Sequence, residues 1–229
     1  ASEYCSDDQA IDRLDQYAKH NLTAAYSGPI EPRIIKFDPG HRAVFWHRNC
    51  VAIGMAAGFI EPLEASALVM VELSAAMIAE QMPPTRAAMD PIARRFNKKF
   101  LYRWRSIINF LKLHYLLSER TNHRYWVDQR ASSTVPEDLL ELLSIWQYQT
   151  PWHRDQEHVD ELFPTASYQY ILYGMQFNTM QNDHYRQKNK TSAEATLNKR
   201  QEYTTKLYRA LPDHRELIAA IAKQGLPKF

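Results

Sequence analysis

The chain has 229 residues, 45% of them apolar, which is enough for one large domain or two small ones with a core. Its net charge of +2 is too small to indicate a nucleic-acid partner, and no apolar run approaches the ~20 residues that span a bilayer. Two cysteines, Cys5 and Cys50, could pair, but we expect free thiols in a reducing cytoplasm. The first residues carry neither the basic nor the apolar region of a signal peptide, so we predict a cytoplasmic protein without membrane contact.

The first predicted elements are a helix and three short strands. Ser6 and Gln9 have the spacing of a capping box and predict a helix over about 7–20. Alternating apolar and polar residues then predict strands, with the turn-forming sequence Asp-Pro-Gly-His between the first two. These strands cover 33–37, 43–47 and 49–54. We interpret them as a β-hairpin followed by a third strand.

Helices are predicted for most of the remaining chain, because apolar residues recur there at helical spacing. The predicted helices cover about 62–81, 91–120, 136–146, 191–209 and 212–224. Residues 168–175 form a buried helix or a strand, and the polar, aperiodic stretch 181–190 is expected to be a mobile loop. The predicted fold class is α+β and mainly α: short amino-terminal strands followed by a helical bundle.

The segment 58–67 can hold an anion beside a carboxylate. Pro62 suits the first turn of a helix, and the first amides of a helix have no partner inside it. These amides carry partial positive charge, while Glu61 and Glu64 bring carboxylates to the same place. The alternative is plain helix capping, since glutamate in a first turn is common.

Residues 49–64, Asn-Cys-Val-Ala-Ile-Gly-Met-Ala-Ala-Gly-Phe-Ile-Glu-Pro-Leu-Glu, resemble a segment shared by flavin-dependent tryptophan halogenases. Residues 4–8, 110–117 and 168–175 are similar to three further segments of that family, so the resemblance extends from Tyr4 to about Phe177. It implies that the chain is the carboxyl-terminal portion of a larger FAD-binding, flavin-monooxygenase-like fold. Residues 1–60 would complete a flavin-side sheet, and 61–229 would form a helical substrate-side domain.

In that family, reduced FAD, oxygen and a halide (chloride or bromide) give hypohalous acid, which reaches a lysine beside an aromatic substrate. The resemblance implies a catalytic and substrate-binding role for Glu64 and halide binding by the backbone amides of Ser66 and Ala67. It further implies flavin contacts from Met55 and Leu68. The family commonly has Ser-Thr-Gly where this chain has Ala-Ser-Ala at 65–67, and the extra methyl of Ala67 could crowd a halide.

The substrate region departs further from the family. Residues 156–167 lack the tyrosine pair that holds free tryptophan, and Phe163 is the one aromatic substrate contact that we predict there. An aromatic small molecule or a carrier-bound substrate is therefore expected. The 229 residues contain no Gly-x-Gly-x-x-Gly, no Trp-x-Trp-x-Ile-Pro and no lysine assignable to catalysis. We expect an amino-terminal FAD-binding part and a separate flavin reductase as partners, and a homodimer is one possible assembly.

Two other functions stay open: a related flavin monooxygenase that uses no halide, and a non-catalytic helical binding module. Basic residues crowd the second predicted long helix, and we interpret them as a solvated face and not as a nucleic-acid site. They are Arg94, Arg95, Lys98, Lys99, Arg103 and Arg105. The histidines and cysteines show no metal-ligand spacing, so no metal site is predicted.

Overall fold

The computed structural model of the chain describes residues 3–21, 31–155, 161–180 and 183–226. Eight α-helices occur in these ranges: α1 (Asp7–Asn21), α2 (Ser66–Glu80), α3 (Arg86–Leu116), α4 (Arg124–Asp128), α5 (Glu137–Trp146), α6 (Thr165–Gly174), α7 (Asp183–Ala210) and α8 (His214–Gln224). Four short strands accompany them: β1 (Gly40–His41), β2 (Trp46–His47), β3 (Cys50–Val51) and β4 (Gly58–Phe59). This mainly helical architecture confirms the predicted fold class. No helix in the described ranges is long and apolar enough to cross a membrane.

The strands form two separate antiparallel pairs. β2 pairs with β3 across a tight turn in which Arg48 has a φ of 53°, and β1 pairs with the distant β4. The β1–β4 contact is close, because a Cβ at Gly58 would lie 2.7 Å from the carbonyl oxygen of Gly40. Only a glycine therefore allows the two strands this separation.

The predicted hairpin between 33–37 and 43–47 is wrong. Residues 31–39 form no strand, and Ile34, Ile35 and Phe37 are exposed. The chain instead starts to pair at Gly40, after Pro39, and its partner is β4. A proline has no amide hydrogen to donate to a ladder, and the real partner lies too far along the chain for a local pattern to indicate it.

The core is built around α3, as its apolar spacing predicts. Its buried side chains pack against β2, α5 and α6. The large aromatic members of this core include Phe96, Trp104, Phe110, Trp146, Phe163 and Tyr168. Asn97 connects α3 to the strands, since its side chain accepts hydrogen bonds from the amides of Phe45 and Trp46 and donates to the Trp46 carbonyl.

The bounds and the basic face of α3 differ from the prediction. The helix begins five residues before Pro91, where the Thr85 side chain accepts a hydrogen bond from the Ala88 amide at 3.3 Å. Pro91 lies near the start of the helix and removes one intrahelical donor without ending it. Arg103 is buried, and its guanidinium lies 5.1 Å from the Phe100 ring centre, so it does not belong to a solvated face.

The remaining helices settle several open predictions. The Ser6 and Gln9 capping box is confirmed by reciprocal hydrogen bonds of 3.1 and 3.2 Å. Residues 168–175, predicted as a helix or a strand, lie largely in α6. Gly225 ends α8 with a φ of 75°, as predicted.

The mobile loop predicted at 181–190 and the capping box at Thr191 and Glu194 are wrong. Both residues lie inside α7, which already begins at Asp183, while residues 181 and 182 fall outside the described ranges. The helix predicted over 191–209 is confirmed, because it lies within α7, whose residues 190–210 are exposed.

The chain divides into two compact units, 1–179 and 180–229. The first contains the whole aromatic core described above, and the second consists of α7 and α8. The predicted division at residue 60, between a flavin side and a substrate side, does not coincide with this boundary and stays a prediction. Cys5 and Cys50 are free thiols.

Candidate functional site

The start of α2 has an unusual backbone. A helix was predicted from Pro62, but a single 3-10 turn, Leu63–Ala65, comes first, and α2 begins only at Ser66. Glu64 and Ala65 have φ values of 66° and 50°, in the left-handed region that residues with a Cβ seldom adopt. Such a conformation costs on the order of 1–3 kcal/mol and persists only where surrounding contacts hold it.

The first two residues of α2 are the predicted halide-binding pair, Ser66 and Ala67. No side chain in the described part of the protein caps this helix start. The Ser66 hydroxyl is buried, with the residue 2% exposed, and it has no hydrogen-bond partner among the described residues. Because a buried polar atom without a partner is costly, this hydroxyl indicates a polar ligand at the helix start.

An apolar cavity of about 200 Å³ lies against the same helix start. Met55, Ala67 and Leu68 all line it, so three of the predicted site residues meet at one place. Met55 and Leu68 are 83% and 78% exposed, which is unusual for large apolar side chains. Two such side chains at one apolar surface suit contact with a flat, largely apolar ring system.

The carboxylates before α2 are held by two adjacent residues near the end of α3. His114 Nε2 lies 3.0 Å from Glu64 Oε1, and the Tyr115 hydroxyl donates a hydrogen bond to the Glu61 carboxylate. Burial, followed by the hydrogen bonds with Glu61 and Tyr125, raises the pKa of Tyr115 well above its usual value. Tyr115 therefore stays protonated and remains a donor to Glu61 throughout the physiological range.

A second concavity, a groove of about 580 Å³, is lined in part by His114, the residue that holds Glu64, while Glu64 itself is not among its lining residues. Its lining includes Leu63, His114, Tyr115 and Trp126. The residues that line the groove and those that line the apolar cavity are different. The turn before α2 contributes Leu63 to the groove, and the first turn of α2 contributes Ala67 to the cavity.

The predicted substrate contact Phe163 lies elsewhere. Its ring stacks on Phe110 with a centroid distance of 3.9 Å, and the residue is 8% exposed. It lines neither the groove nor the cavity, although Phe110 contacts the His114 ring edge to face. Within the described residues, Phe163 is part of the core, and its role in substrate binding stays a prediction.

Sequence reasoning missed His114, Tyr115 and Trp126 as site residues. The first two lie in the stretch 110–117, which was used only as a marker of resemblance. A signal was present, because a histidine and a tyrosine follow each other at the end of an apolar helix, where polar rings need partners. The described residues contain no cluster of three or more potential metal ligands.

The arrangement is a helix start suited to an anion, between an apolar cavity and a groove with a paired carboxylate and imidazole. Solved structures with this fold include tryptophan halogenases and other flavin-dependent halogenases. The tryptophan halogenase from Shewanella frigidimarina superposes with a TM-score of 0.89 and 43% identity over 100% of this chain. BrvH, a flavin-dependent halogenase from Brevundimonas, superposes with a TM-score of 0.76 and 28% identity over 96% of it.

A sequence model of the tryptophan halogenase family matches residues 1–191, and the chain belongs to this family. The tryptophan 6-halogenase SttH of Streptomyces toxytricini is 30% identical over 178 residues, or 76% of this chain. The alignment covers 32% of SttH, and the structural matches cover 43% of the Shewanella and Brevundimonas chains. The chain thus spans about a third of its curated relatives and less than half of the solved structures.

Proposed function

We propose that the protein is a flavin-dependent halogenase that uses reduced FAD, oxygen and chloride or bromide to halogenate an electron-rich, indole-type aromatic substrate. The observation that carries this proposal is the start of α2. An uncapped helix start with a buried, unpartnered Ser66 hydroxyl lies between an apolar cavity and a carboxylate. A halide would accept hydrogen bonds there from the Ser66 and Ala67 amides and from the Ser66 hydroxyl.

FAD would contact this chain at Met55 and Leu68, whose exposed apolar side chains fit the face of a flavin ring. When bound, reduced flavin supplies the electrons that activate oxygen and generate the halogenating agent. A separate flavin reductase would supply the reduced cofactor, and an amino-terminal part of the protein would hold the FAD pyrophosphate. The 229 residues lack the glycine-rich turn that commonly does so.

Glu64 would act on the substrate side. Its carboxylate is 35% exposed beside the groove, so one oxygen can bond to His114 while the other faces a ligand. A carboxylate there can orient an aromatic N–H or accept the proton that leaves the ring after halogenation. The groove is open and has an aromatic wall, which suits an indole or phenol on a larger scaffold as well as a small molecule.

The test is product analysis of the complete protein, supplied with a flavin reductase, an indole-type probe and either bromide or no halide. We expect a brominated product that forms only with bromide. A hydroxylated product that forms at the same rate in both reactions would contradict halogenation.

That contrary result defines the second candidate, a related flavin monooxygenase. It is favoured by one observation: Ala67 lies at the proposed halide position, where the family commonly has glycine, and its methyl group adds bulk at the helix start.

A further inference from the structure

Near its end, α3 presents two adjacent polar rings to the turn before α2. His114 reaches Glu64, and Tyr115 reaches Glu61. These contacts join residues about fifty positions apart in sequence, and both lead to the segment with the strained backbone. The two hydrogen bonds differ in one respect: a phenol donor is protonated throughout the physiological range, whereas an imidazole has two forms.

The proton positions at His114 follow from its two partners. Nδ1 lies 2.8 Å from the carbonyl oxygen of Phe110, and a carbonyl can only accept, so Nδ1 carries a hydrogen. Nε2 lies 3.0 Å from Glu64 Oε1, and that hydrogen bond requires one proton between the two atoms. The proton is on the imidazolium, which donates to the carboxylate, or on the carboxylic acid, which donates to the neutral imidazole.

A pair that loses this proton also loses its hydrogen bond, because two lone pairs would then face each other. The imidazole is half-buried, since the His114 side chain is 17% exposed and its ring packs against Phe110 with a centroid distance of 5.0 Å, whereas the Glu64 side chain is 35% exposed. Glu64 has a left-handed backbone, so its side-chain anchor also helps to hold the turn that begins α2.

We infer that His114 is a positioning residue for the proposed reaction: it fixes the Glu64 carboxylate at the edge of the groove and retains one proton in the pair. This inference rests on the proposed function. The other titratable groups along the groove are Tyr115, Glu119 and Arg120, and Tyr115 is engaged with Glu61. His114 is the groove residue in contact with Glu64.

The first test is a pair of substitutions in the complete protein, His114→Gln and His114→Phe. A glutamine side chain can still donate a hydrogen bond to Glu64, although it does not ionise. A phenylalanine side chain has neither a donor nor an ionisable group. We expect His114→Phe to lower kcat by at least about tenfold and His114→Gln to retain most of it. The control His47→Gln changes an exposed histidine of β2 and should keep the wild-type kcat.

Equal losses of kcat in both variants would overturn the inference, as would a kcat of His114→Phe within twofold of wild type. The second test does not need turnover: nitrogen NMR of histidine-labelled protein. We expect His114 with a protonated Nδ1 and an Nε2 signal that shifts in Glu64→Gln but not in Glu72→Gln. An unprotonated Nδ1, or no shift, would also overturn it. If the wild type makes no halogenated product, the proposed function fails, while the NMR result still decides the proton arrangement.

Discussion

α2 and α3 belong to the same unit, yet they begin in different ways. Before α3, Thr85 has an extended backbone and its hydroxyl accepts a hydrogen bond from the Ala88 amide. Before α2, Ala65 is left-handed, no described side chain caps the helix, and the Ser66 hydroxyl is buried without a partner. The start of α3 satisfies its own amides, whereas the start of α2 leaves donors available to a ligand. Stability and ligand binding should therefore respond in opposite ways to similar changes at the two places.

The largest expected effect is at Glu64, just before α2. Glu64→Gln should lower the turnover of the complete protein on the order of 100-fold, because the amide can neither take a proton nor share one with His114. The free energy of unfolding should change by less than about 1 kcal/mol, since the side chain is partly exposed. Steady-state kinetics and urea unfolding measure the two quantities. Glu72→Gln, on the exposed side of α2, is the control, and unchanged turnover in Glu64→Gln would mean that Glu64 is only a helix-start residue.

The next pair of variants compares the hydroxyl of Thr85 with that of Ser66. Thr85→Ala removes a helix cap and should lower the free energy of unfolding by about 1 kcal/mol without changing the halide KM. Ser66→Ala removes a buried hydroxyl that has no described partner, so stability should stay the same or rise. Its halide KM should rise about tenfold, which corresponds to the loss of about one hydrogen bond to an anion. If Thr85→Ala and Ser66→Ala change the free energy of unfolding and the halide KM in the same way, the two helix starts do not differ as described.

A smaller effect is expected at Ala67. Ala67→Gly removes the methyl group beside the proposed halide and should lower the halide KM about threefold by relieving crowding. Any glycine in α2 lowers stability by up to about 1 kcal/mol, so Ala75→Gly in the exposed middle of the helix serves as the matched control. A fall in halide KM in both variants, or in neither, would argue against a halide at Ala67.

The last effect concerns the pH dependence of stability at Tyr115, which supports the turn before α2. Its pKa is raised from 10.0 by burial and by its hydrogen bonds, so the unfolded chain loses the phenolic proton before the folded protein does. The stability that Tyr115 contributes is therefore complete below about pH 10 and is lost as the pH rises further. As the pH rises from about 8 to about 11, the free energy of unfolding should fall in both proteins. The fall should be smaller in Tyr115→Phe than in the wild type, by on the order of 1 kcal/mol. Equal losses in urea titrations at the two pH values would contradict a raised pKa.

The two helix starts also differ in how well the sequence predicts them. The capping box at Ser6 and the apolar stripe of α3 depend on neighbours within one or two helical turns, so their spacing in the sequence is sufficient. The left-handed residues Glu64 and Ala65 carry no such signal, because neither is a glycine. Their conformation depends on contacts with α3 about fifty residues away.

The same distinction explains the other errors. The pairing of β1 with β4 joins Gly40 to Phe59, and no local alternation indicates it. The first eight residues of α7 were predicted as a loop because the polar sequence from 183 to 190 lacks the periodic apolar residues on which the prediction depended. For the site, the resemblance named Met55, Ala67 and Leu68, which the structure brings together, but spacing alone could not have added His114.

α3 sets the distance between two parts of the proposed site, the backbone at Phe45 and Trp46 and the carboxylate of Glu64. Asn97 in its first half fixes the backbone at Phe45 and Trp46, and His114 near its end fixes Glu64. The 17 residue steps from Asn97 to His114 correspond to roughly 26 Å of straight helix at 1.5 Å per residue. Because the rise per residue of α3 is fixed, side chains that line the groove can be replaced while the distance between Asn97 and His114 stays the same. Insertion of one residue between Asn97 and His114 would turn the two anchors by about 100° relative to each other and should be tolerated far less well than any single substitution in the groove.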